Sequence, residues 1–167
     1  MAWPYEIKGG VEIQFWNHLG HFAIVQELLP VLKETAKQPD AHVRIVNSNI
    51  LFTKALQKRV DTDGIRCLSL HPGVIHSELL RGTAQTYGQL LGNIANYLSS
   101  LLSMTTYEGA KTQLYAATSP EVDELNLKGA YLTPIASVMT PSAYAQDPDL
   151  AESLWSLSER AVRDLSK

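Results

Sequence analysis

The segment Ile65-Arg-Cys-Leu-Ser-Leu-His-Pro-Gly73 decides the fold class. Its first six residues are mostly apolar, which is typical of a buried strand, and Pro72-Gly73 ends it with a turn. Two further runs, His42–Asn47 and Gly129–Thr133, also have the character of short strands. Helical patterns lie between these runs, and strands that alternate with helices indicate a parallel sheet with crossover helices. We therefore expect an α/β fold with a partial parallel sheet of about three strands, flanked by helices.

The helical segments are marked by apolar residues that recur at the spacing of one helix face. They are Val11–Lys37, Asn49–Val60, Thr106–Thr118 and a C-terminal segment that starts near Asp149. Pro30 lies inside the first of them and should kink or interrupt it, because proline lacks the backbone N–H. The C-terminal helix carries one apolar side made of Leu150, Leu154, Leu157, Ala161 and Leu165.

The composition of the chain excludes some classes of function. The chain has 167 residues, which corresponds to one domain, and its net charge of -3 offers no basic face for a nucleic acid. Charged residues make up only 19%, which indicates extra surface that is buried or covered by a partner. The single cysteine, Cys67, cannot form an internal disulfide and is expected to be buried. The first ten residues do not resemble a signal peptide, so we expect a cytoplasmic protein without a transmembrane segment.

A long stretch between Arg81 and Glu108 carries no formal charge. It contains several Gln, Asn and Ser residues, so it is too polar to span a membrane, which needs about 20 predominantly apolar residues. Its leucines and isoleucine follow one helical face. We expect an amphipathic helix that covers a pocket, a partner or a membrane surface, or that packs on the protein's own core.

Several motifs, taken in chain order, resemble the later half of a short-chain dehydrogenase/reductase of the retinol-dehydrogenase-like and WW-domain-oxidoreductase-like subgroup. The matching segments are Glu12–Phe22 with its Asn-His-Leu-Gly-His-Phe signature, Arg44–Asn47, Asn49–Leu56, Ser69–Ile75, Glu108–Ala117 and Gly129–Leu132. The resemblance implies a partial Rossmann-like fold. It also implies that residues 1–167 form one domain equivalent to the family's C-terminal half.

Two parts of the family pattern are missing. The ten glycines contain no Gly-x-x-x-Gly-x-Gly phosphate loop. In the family, a catalytic serine and a Tyr-x-x-x-Lys motif separate the Arg-Ile-Val-Asn strand from the Asn-Ile-Leu-Phe helix. Here Asn47 runs through Ser48 directly into Asn49, which implies an internal deletion at about 47–48. Ser48 lies where the join falls, so it is a weak candidate for the family serine.

The resemblance assigns few of the family's site residues to this chain. Asn17 matches the asparagine that anchors a proton-relay water, and Pro72, Gly73 and Ser77 match residues beside the nicotinamide. Tyr107 and Lys111 reproduce Tyr-x-x-x-Lys, but they lie at the family's Glu-Gly-Ala helix, which favours coincidence. We therefore expect no cofactor, and NAD(P) only if the missing half is supplied.

Three hypotheses about function remain open. The first is a repurposed fold that binds a small hydrophobic molecule and catalyses a cofactor-free isomerisation, cyclisation or dehydration. Such a step needs acid/base groups in an apolar cavity, and the candidate catalytic residues are Asn17, His71, His76 and Tyr107. His71 is included because it ends a parallel strand, where ligands bind. The second hypothesis is a non-catalytic pseudoenzyme or interaction module, and the third is a fragment of an NAD(P)-dependent oxidoreductase. No metal-ligand spacing is present.

The same comparison predicts self-association. The strand at 42–47 would be a sheet edge because its usual neighbour is absent, and unpaired edges invite pairing with another chain. In relatives, helices equivalent to 11–37 and 49–60 commonly form the subunit interface. We expect a homodimer or higher homo-oligomer that uses these three segments.

Overall fold

The computed structural model describes residues 15–75 and 103–165. Its elements are a π-helical turn (Phe15–Leu19), α1 (Gly20–Ala36), β1 (Arg44–Asn47), α2 (Ile50–Val60), β2 (Arg66–Leu70), α3 (Thr106–Thr118), α4 (Glu121–Glu124), β3 (Tyr131–Thr133), β4 (Ser137–Met139), α5 (Ala143–Gln146) and α6 (Pro148–Leu165). The described residues fall into two compact units. The sheet unit holds residues 44–50, 66–75 and 103–141, and the helical unit holds residues 15–43, 51–65 and 142–165.

The sheet unit contains one sheet in the order β1-β2-β3-β4. Strands β1, β2 and β3 are parallel, as predicted, with Arg44 opposite Arg66 and Ser69 opposite Tyr131. A fourth strand, β4, adds antiparallel to β3 and was not predicted. It has only three residues, all of them exposed, so it is too short to stand out as an apolar run. The mixed α/β fold agrees with the expected partial Rossmann-like architecture.

The core of the sheet unit forms where α3 and α4 meet the sheet. It consists of Leu68, Leu70, Ala116, Val122 and Leu132, which are at most 4% exposed. A capping box starts α3: the Glu108 N–H donates to the Thr105 hydroxyl, and the Thr105 N–H donates to the Glu108 carboxylate at 2.9 Å. A cap of this kind stabilises a helix by about 1 kcal/mol. These hydrogen bonds hold the pKa of Glu108 below its usual range.

Two arginines share one carboxylate in the sheet unit. The Nη2 atom of Arg44 lies 2.6 Å from Oδ2 of Asp123, and Nε of Arg66 lies 3.3 Å from Oδ1 of the same residue. The Arg44 side chain is only 6% exposed. Because Arg44 and Arg66 lie side by side on parallel strands, Asp123 compensates two nearby positive charges and fixes α4 against the sheet.

The helical unit packs around aromatic rings. Phe22 of α1, Phe52 of α2 and Trp155 of α6 lie 4.9–5.9 Å apart between ring centroids. On α6, the Arg59 guanidinium from α2 covers the Trp155 ring at 3.9 Å, and its Nη2 lies 2.6 Å from Oε2 of Glu152. Aromatic side chains bury large apolar areas, so this cluster contributes substantially to the core of the unit.

Helix and strand boundaries lie close to the predicted ones. Helices α1, α2, α3 and α6 and the three parallel strands begin or end within one or two residues of expectation, a normal uncertainty at element ends. The short helices α4 and α5 were not predicted. Helix α1 continues through Pro30 and is not interrupted there. Most of the uncharged stretch before Glu108 lies outside the described residues. Within residues 15–75 and 103–165, no helix has the length and apolar character that crossing a membrane requires.

Candidate functional site

Asn17 lies in the middle of the π-helical turn that precedes α1, and it is exposed. Single π-helical turns are rare and often mark functional positions, because the extra residue per turn redirects a side chain. The next residue, His18, is instead buried. In this turn the Asn17 side chain is therefore exposed, whereas the side chain of the next residue, His18, is buried.

His18 anchors this turn to the C-terminal helix. Its Nε2 lies 2.7 Å from the Ser158 hydroxyl oxygen, and the Ser158 hydroxyl donates to the Leu154 carbonyl at 2.7 Å. Because the single hydroxyl proton is used on the carbonyl, His18 Nε2 must carry a proton and donate it. The imidazole also contacts Phe22 and Phe52, with ring centroids 6.0 and 5.7 Å away.

Burial lowers the pKa of His18, and the nearby His21 lowers it further. An imidazolium placed among aromatic rings loses hydration, so the neutral form is favoured. His18 is thus a neutral hydrogen-bond donor in the folded protein near pH 7. The sequence did not single out Ser158, since it lies 140 residues from His18 and only the fold brings them together.

His71 belongs to the turn that ends β2. Its backbone N–H donates to Leu132 at 2.9 Å, and its Nδ1 accepts from the Gly73 N–H at 3.0 Å. The neutral tautomer therefore carries its proton on Nε2, and the side chain is exposed. Gly73 has φ of +90°, and a Cβ there would lie 2.7 Å from Met104 Sδ and 3.0 Å from Pro134 Cγ. The turn needs glycine both for its backbone conformation and for this close approach.

Tyr107 lies in the first turn of α3, and 73% of it is exposed. The Nζ of Lys111 lies 4.9 Å from the centroid of the Tyr107 ring, so the cation faces the ring rather than the phenolic oxygen. This is a surface cation–π contact, worth about 0.5–1 kcal/mol at exposed sites. This geometry is that of a helix surface, and the role of the motif stays a prediction.

The candidate residues that the structure describes are divided between the two units. Asn17 belongs to the helical unit, whereas His71, Pro72, Gly73 and Tyr107 belong to the sheet unit. Within the described residues, His71 and Tyr107 share no hydrogen bond or ring contact. His76 and Ser77 lie outside the described residues. The structure thus brings together His71 and Gly73, and the acid/base role of the four candidates stays a prediction.

The chain passes from β1 to α2 in two residues. Strand β1 ends at Asn47 and α2 begins at Ile50. The Asn49 N–H donates to Asn47 Oδ1 at 2.7 Å, a local side-chain turn that asparagine makes readily. Ser48 lies inside this tight connection. No serine-plus-Tyr-x-x-x-Lys segment can be accommodated between the strand and the helix.

The space beside Gly73 is filled by Met104 and Pro134 of the protein itself. A shallow depression of about 390 Å³ lies elsewhere, on the surface of α1, and includes none of the candidate residues. Its lining residues are Pro30, Val31, Glu34, Thr35 and Gln38. Among residues 15–75 and 103–165, no three His, Cys, Asp or Glu side chains are grouped so that they could hold a metal ion.

Comparison with models of protein families gives no match. Curated proteins similar to the chain include an uncharacterized oxidoreductase of Schizosaccharomyces pombe, a short-chain dehydrogenase/reductase of Armillaria gallica and retinol dehydrogenase 14 of Homo sapiens. The identities are 32%, 28% and 31%, over 97%, 88% and 95% of this chain.

The chain spans 58%, 59% and 55% of the length of these three relatives. The alignment with the fission-yeast protein covers 202 positions, more than the 167 residues of the chain. The aligned part of that relative therefore contains residues that have no counterpart here.

Proposed function

Because the chain belongs to the short-chain dehydrogenase/reductases, we propose that it is the substrate-side part of such an oxidoreductase and does not transfer hydride alone. The observation that carries the proposal is the two-residue passage from Asn47 to Ile50. At this place the family has its serine and its Tyr-x-x-x-Lys motif. The chain retains the asparagine, as Asn17, and the Pro72-Gly73 turn.

The missing groups supply two separate requirements of carbonyl reduction. Hydride comes from a bound nicotinamide, which needs a phosphate loop to hold it. A proton must reach the carbonyl oxygen from a group whose pKa is tuned for that transfer. Asn17 carries an amide, which does not titrate, and Tyr107 is an exposed phenol whose neighbouring cation faces its ring. NAD(P) chemistry is therefore expected only when the missing residues are supplied by another polypeptide or segment.

A small hydrophobic molecule is the substrate class we propose for the complete assembly. The support comes from the human relative, which is named for retinol.

We also propose a cytoplasmic location, although a relative from Brassica napus is named as chloroplastic. Fractionation of cells that express the tagged chain tests the location, and recovery in an organelle would contradict it.

Cofactor titration of the purified chain tests the main proposal. We expect no enhancement of NADH or NADPH fluorescence and no loss of absorbance at the nicotinamide band when retinal is added. Human retinol dehydrogenase 14, assayed in parallel, is the positive control. Cofactor oxidation above that of the heat-denatured chain would overturn the proposal.

Sequencing the transcript and its upstream DNA separates a genuine truncation from a spliced fragment. If an in-frame segment with serine and Tyr-x-x-x-Lys is encoded between Asn47 and Ser48, the parent protein is an NAD(P)-dependent oxidoreductase. If no such segment is encoded, the chain acts in its truncated form.

Cofactor-independent catalysis is the second candidate function, and one observation favours it. The hydrogen bond from the Gly73 N–H orients the His71 imidazole with Nε2 toward the exposed side, which is a suitable arrangement for an acid/base group. The test is chromatographic analysis of retinal isomers and small enones incubated with the chain. Conversion by the wild-type chain that is lost in His71→Gln would support cofactor-independent catalysis. If the wild-type chain converts none of these compounds, this second function is excluded.

Self-association remains a proposal as well, and two features support it. Among the described residues, β1 pairs only with β2, so its other edge has no strand partner. Helix α1 exposes Ile24, Leu28 and Val31 at helical spacing, each at least 50% accessible. Helix α2 contributes less to a possible interface, because most of its apolar side chains are buried within the helical unit.

A further inference from the structure

Positive charge is in excess at the amino ends of β1 and β2. Arg44 and Arg66 begin these strands as register partners, and Asp123 of α4 is the one carboxylate at ion-pair distance from either guanidinium among the described residues. The Arg66 side chain is 18% exposed, and that of Arg44 is buried more deeply. One carboxylate shared by two cations leaves one positive charge with little access to water. Such a charge is unfavourable unless an anion compensates it.

The two arginines share the carboxylate unequally. Nη2 of Arg44 donates to Oδ2 of Asp123 at 2.6 Å, and its Nη1 donates to the Ala116 carbonyl at 3.5 Å. Arg66 approaches Asp123 only through Nε, and this buried N–H makes no hydrogen bond among the described residues. The two Nη groups of Arg66 also make no hydrogen bond to any described residue, but they are not buried in the way that Nε is. They therefore remain accessible and unpaired.

We propose that Arg66 binds a small oxoanion, the carboxylate or phosphate group of a ligand, at the amino end of β2. The guanidinium is planar, and its two Nη groups present parallel N–H donors that match two oxygens of one such group. A bound carboxylate carries one negative charge, which equals the excess positive charge of the arginine pair.

The surrounding charges are compatible with an anion at this place. The carboxylate of Asp123 is already offset by its short contact with Arg44. Glu121 accepts a hydrogen bond from the Tyr115 hydroxyl at 2.9 Å. Glu124 is exposed and forms no ion pair with either arginine within the described part of the chain.

A further cation lies on the connection beside β2. The Gly129 N–H donates to the Cys67 carbonyl at 2.9 Å, so the backbone of Lys128 runs next to the start of β2. A lysine in this position adds to the positive potential that attracts an anion toward Arg66.

The oxoanion site is separate from the candidate acid/base residue of the same strand. His71 follows the carboxyl end of β2, five residues after Arg66, which is about 16 Å along an extended chain. Open α/β sheets usually bind their substrates at the carboxyl ends of the strands. An anion at the amino end would thus be a second ligand, and its binding does not depend on the function proposed above.

NMR titration of the full chain with sodium acetate tests the site. The readouts are the Nε–H signal of Arg66, which is buried, and the backbone N–H signal of Cys67. We expect both signals to shift to saturation with acetate and to stay in place with sodium chloride at the same ionic strength, which controls for screening. A parallel titration with inorganic phosphate separates the two ligand groups, because the tighter ligand identifies the group that the site takes. Equal shifts with chloride, or shifts that do not saturate, would overturn the proposal.

Arg66→Lys separates the guanidinium fork from its charge. The variant keeps the positive charge but loses the paired donors, so the dissociation constant for the oxoanion should rise about tenfold, read from the Cys67 signal. Arg160→Lys makes the same change at an exposed arginine of α6 and should leave the affinity unchanged. An affinity that is unaltered in Arg66→Lys would also overturn the proposal. If that variant does not fold, the comparison of acetate with chloride on the wild-type chain decides.

Discussion

The Nε2 of His18 donates to Oγ of Ser158 across 2.7 Å, and this hydrogen bond joins the first described turn to the C-terminal helix. Both side chains are buried. The bond holds the π-helical turn from which Asn17 projects. The position of Asn17 thus depends on a residue that lies near the other end of the chain.

Ser158→Ala should lower the free energy of unfolding by about 1–3 kcal/mol, because the buried His18 N–H loses its acceptor. Urea unfolding followed by circular dichroism gives this free energy. Ser156→Ala, at an exposed position on the same helix, is the control and should change it by less than about 0.5 kcal/mol. Equal effects of the two substitutions would show that the His18–Ser158 bond contributes nothing.

The stability of the fold should depend on pH through His18. Its pKa in the folded chain lies below the ordinary value of 6.5, so the unfolded chain binds the proton first as the pH falls. The contribution of neutral His18 to the stability of the fold is fully present above pH 6.5. It is lost as the pH falls through the pKa that His18 has in the folded chain. NMR titration of the imidazole gives that pKa directly.

His18→Gln is the control for this pH dependence, because the amide can donate to Ser158 but does not titrate. The difference in stability between wild type and variant should narrow as the pH falls below 6.5. A difference that is constant from pH 5 to pH 8 would contradict the assigned cause.

Asp123→Asn should lower the free energy of unfolding by about 3–5 kcal/mol. It leaves the buried guanidinium of Arg44 and that of Arg66 without their shared carboxylate. Chemical denaturation measures the loss. Glu124→Gln removes an exposed charge from the same short helix and should have an effect within about 0.5 kcal/mol. If Asp123→Asn is as mild as Glu124→Gln, the ion pairs do not fix α4 to the sheet.

Gly73→Ala should destabilise the sheet unit by about 1–3 kcal/mol, since alanine is strained at φ of +90° and its Cβ would press on Met104 and Pro134. The melting temperature reports the change. Val74→Ala truncates the next side chain, which is 66% exposed, and should leave the melting temperature nearly unchanged. An unchanged melting temperature for Gly73→Ala would mean that the turn rearranges without cost.

Cys67 should be unreactive in the folded protein. It is fully buried in β2, and burial raises its pKa to about 12, so hardly any thiolate exists at pH 8. Labelling with a thiol reagent should be slow in buffer and complete in denaturant. Because this is the single cysteine of the chain, fast labelling under native conditions would show directly that β2 opens.

The three predicted parallel strands and the predicted helices that correspond to α1, α2, α3 and α6 were confirmed because each carries a local pattern. Arg66–Leu70 is an apolar run that ends at Pro72-Gly73, and α3 starts at a Thr-x-x-Glu capping box. Strand β4 was missed because Ser137–Met139 is short and exposed, and it forms only by pairing with β3. The order of the motifs, compared with the family, pointed to the shortened connection at 47–48.

The amino-acid sequence by itself determined the α/β class, the family and the loss of the acid/base segment, because these depend on residues that are neighbours in the chain. Only the tertiary structure decided which side chains act together. It paired His18 with Ser158, gave Arg44 and Arg66 one carboxylate, and set Tyr107 on a helix surface. Contacts between distant residues depend on how the elements pack, and packing is a property of the whole folded unit rather than of any segment.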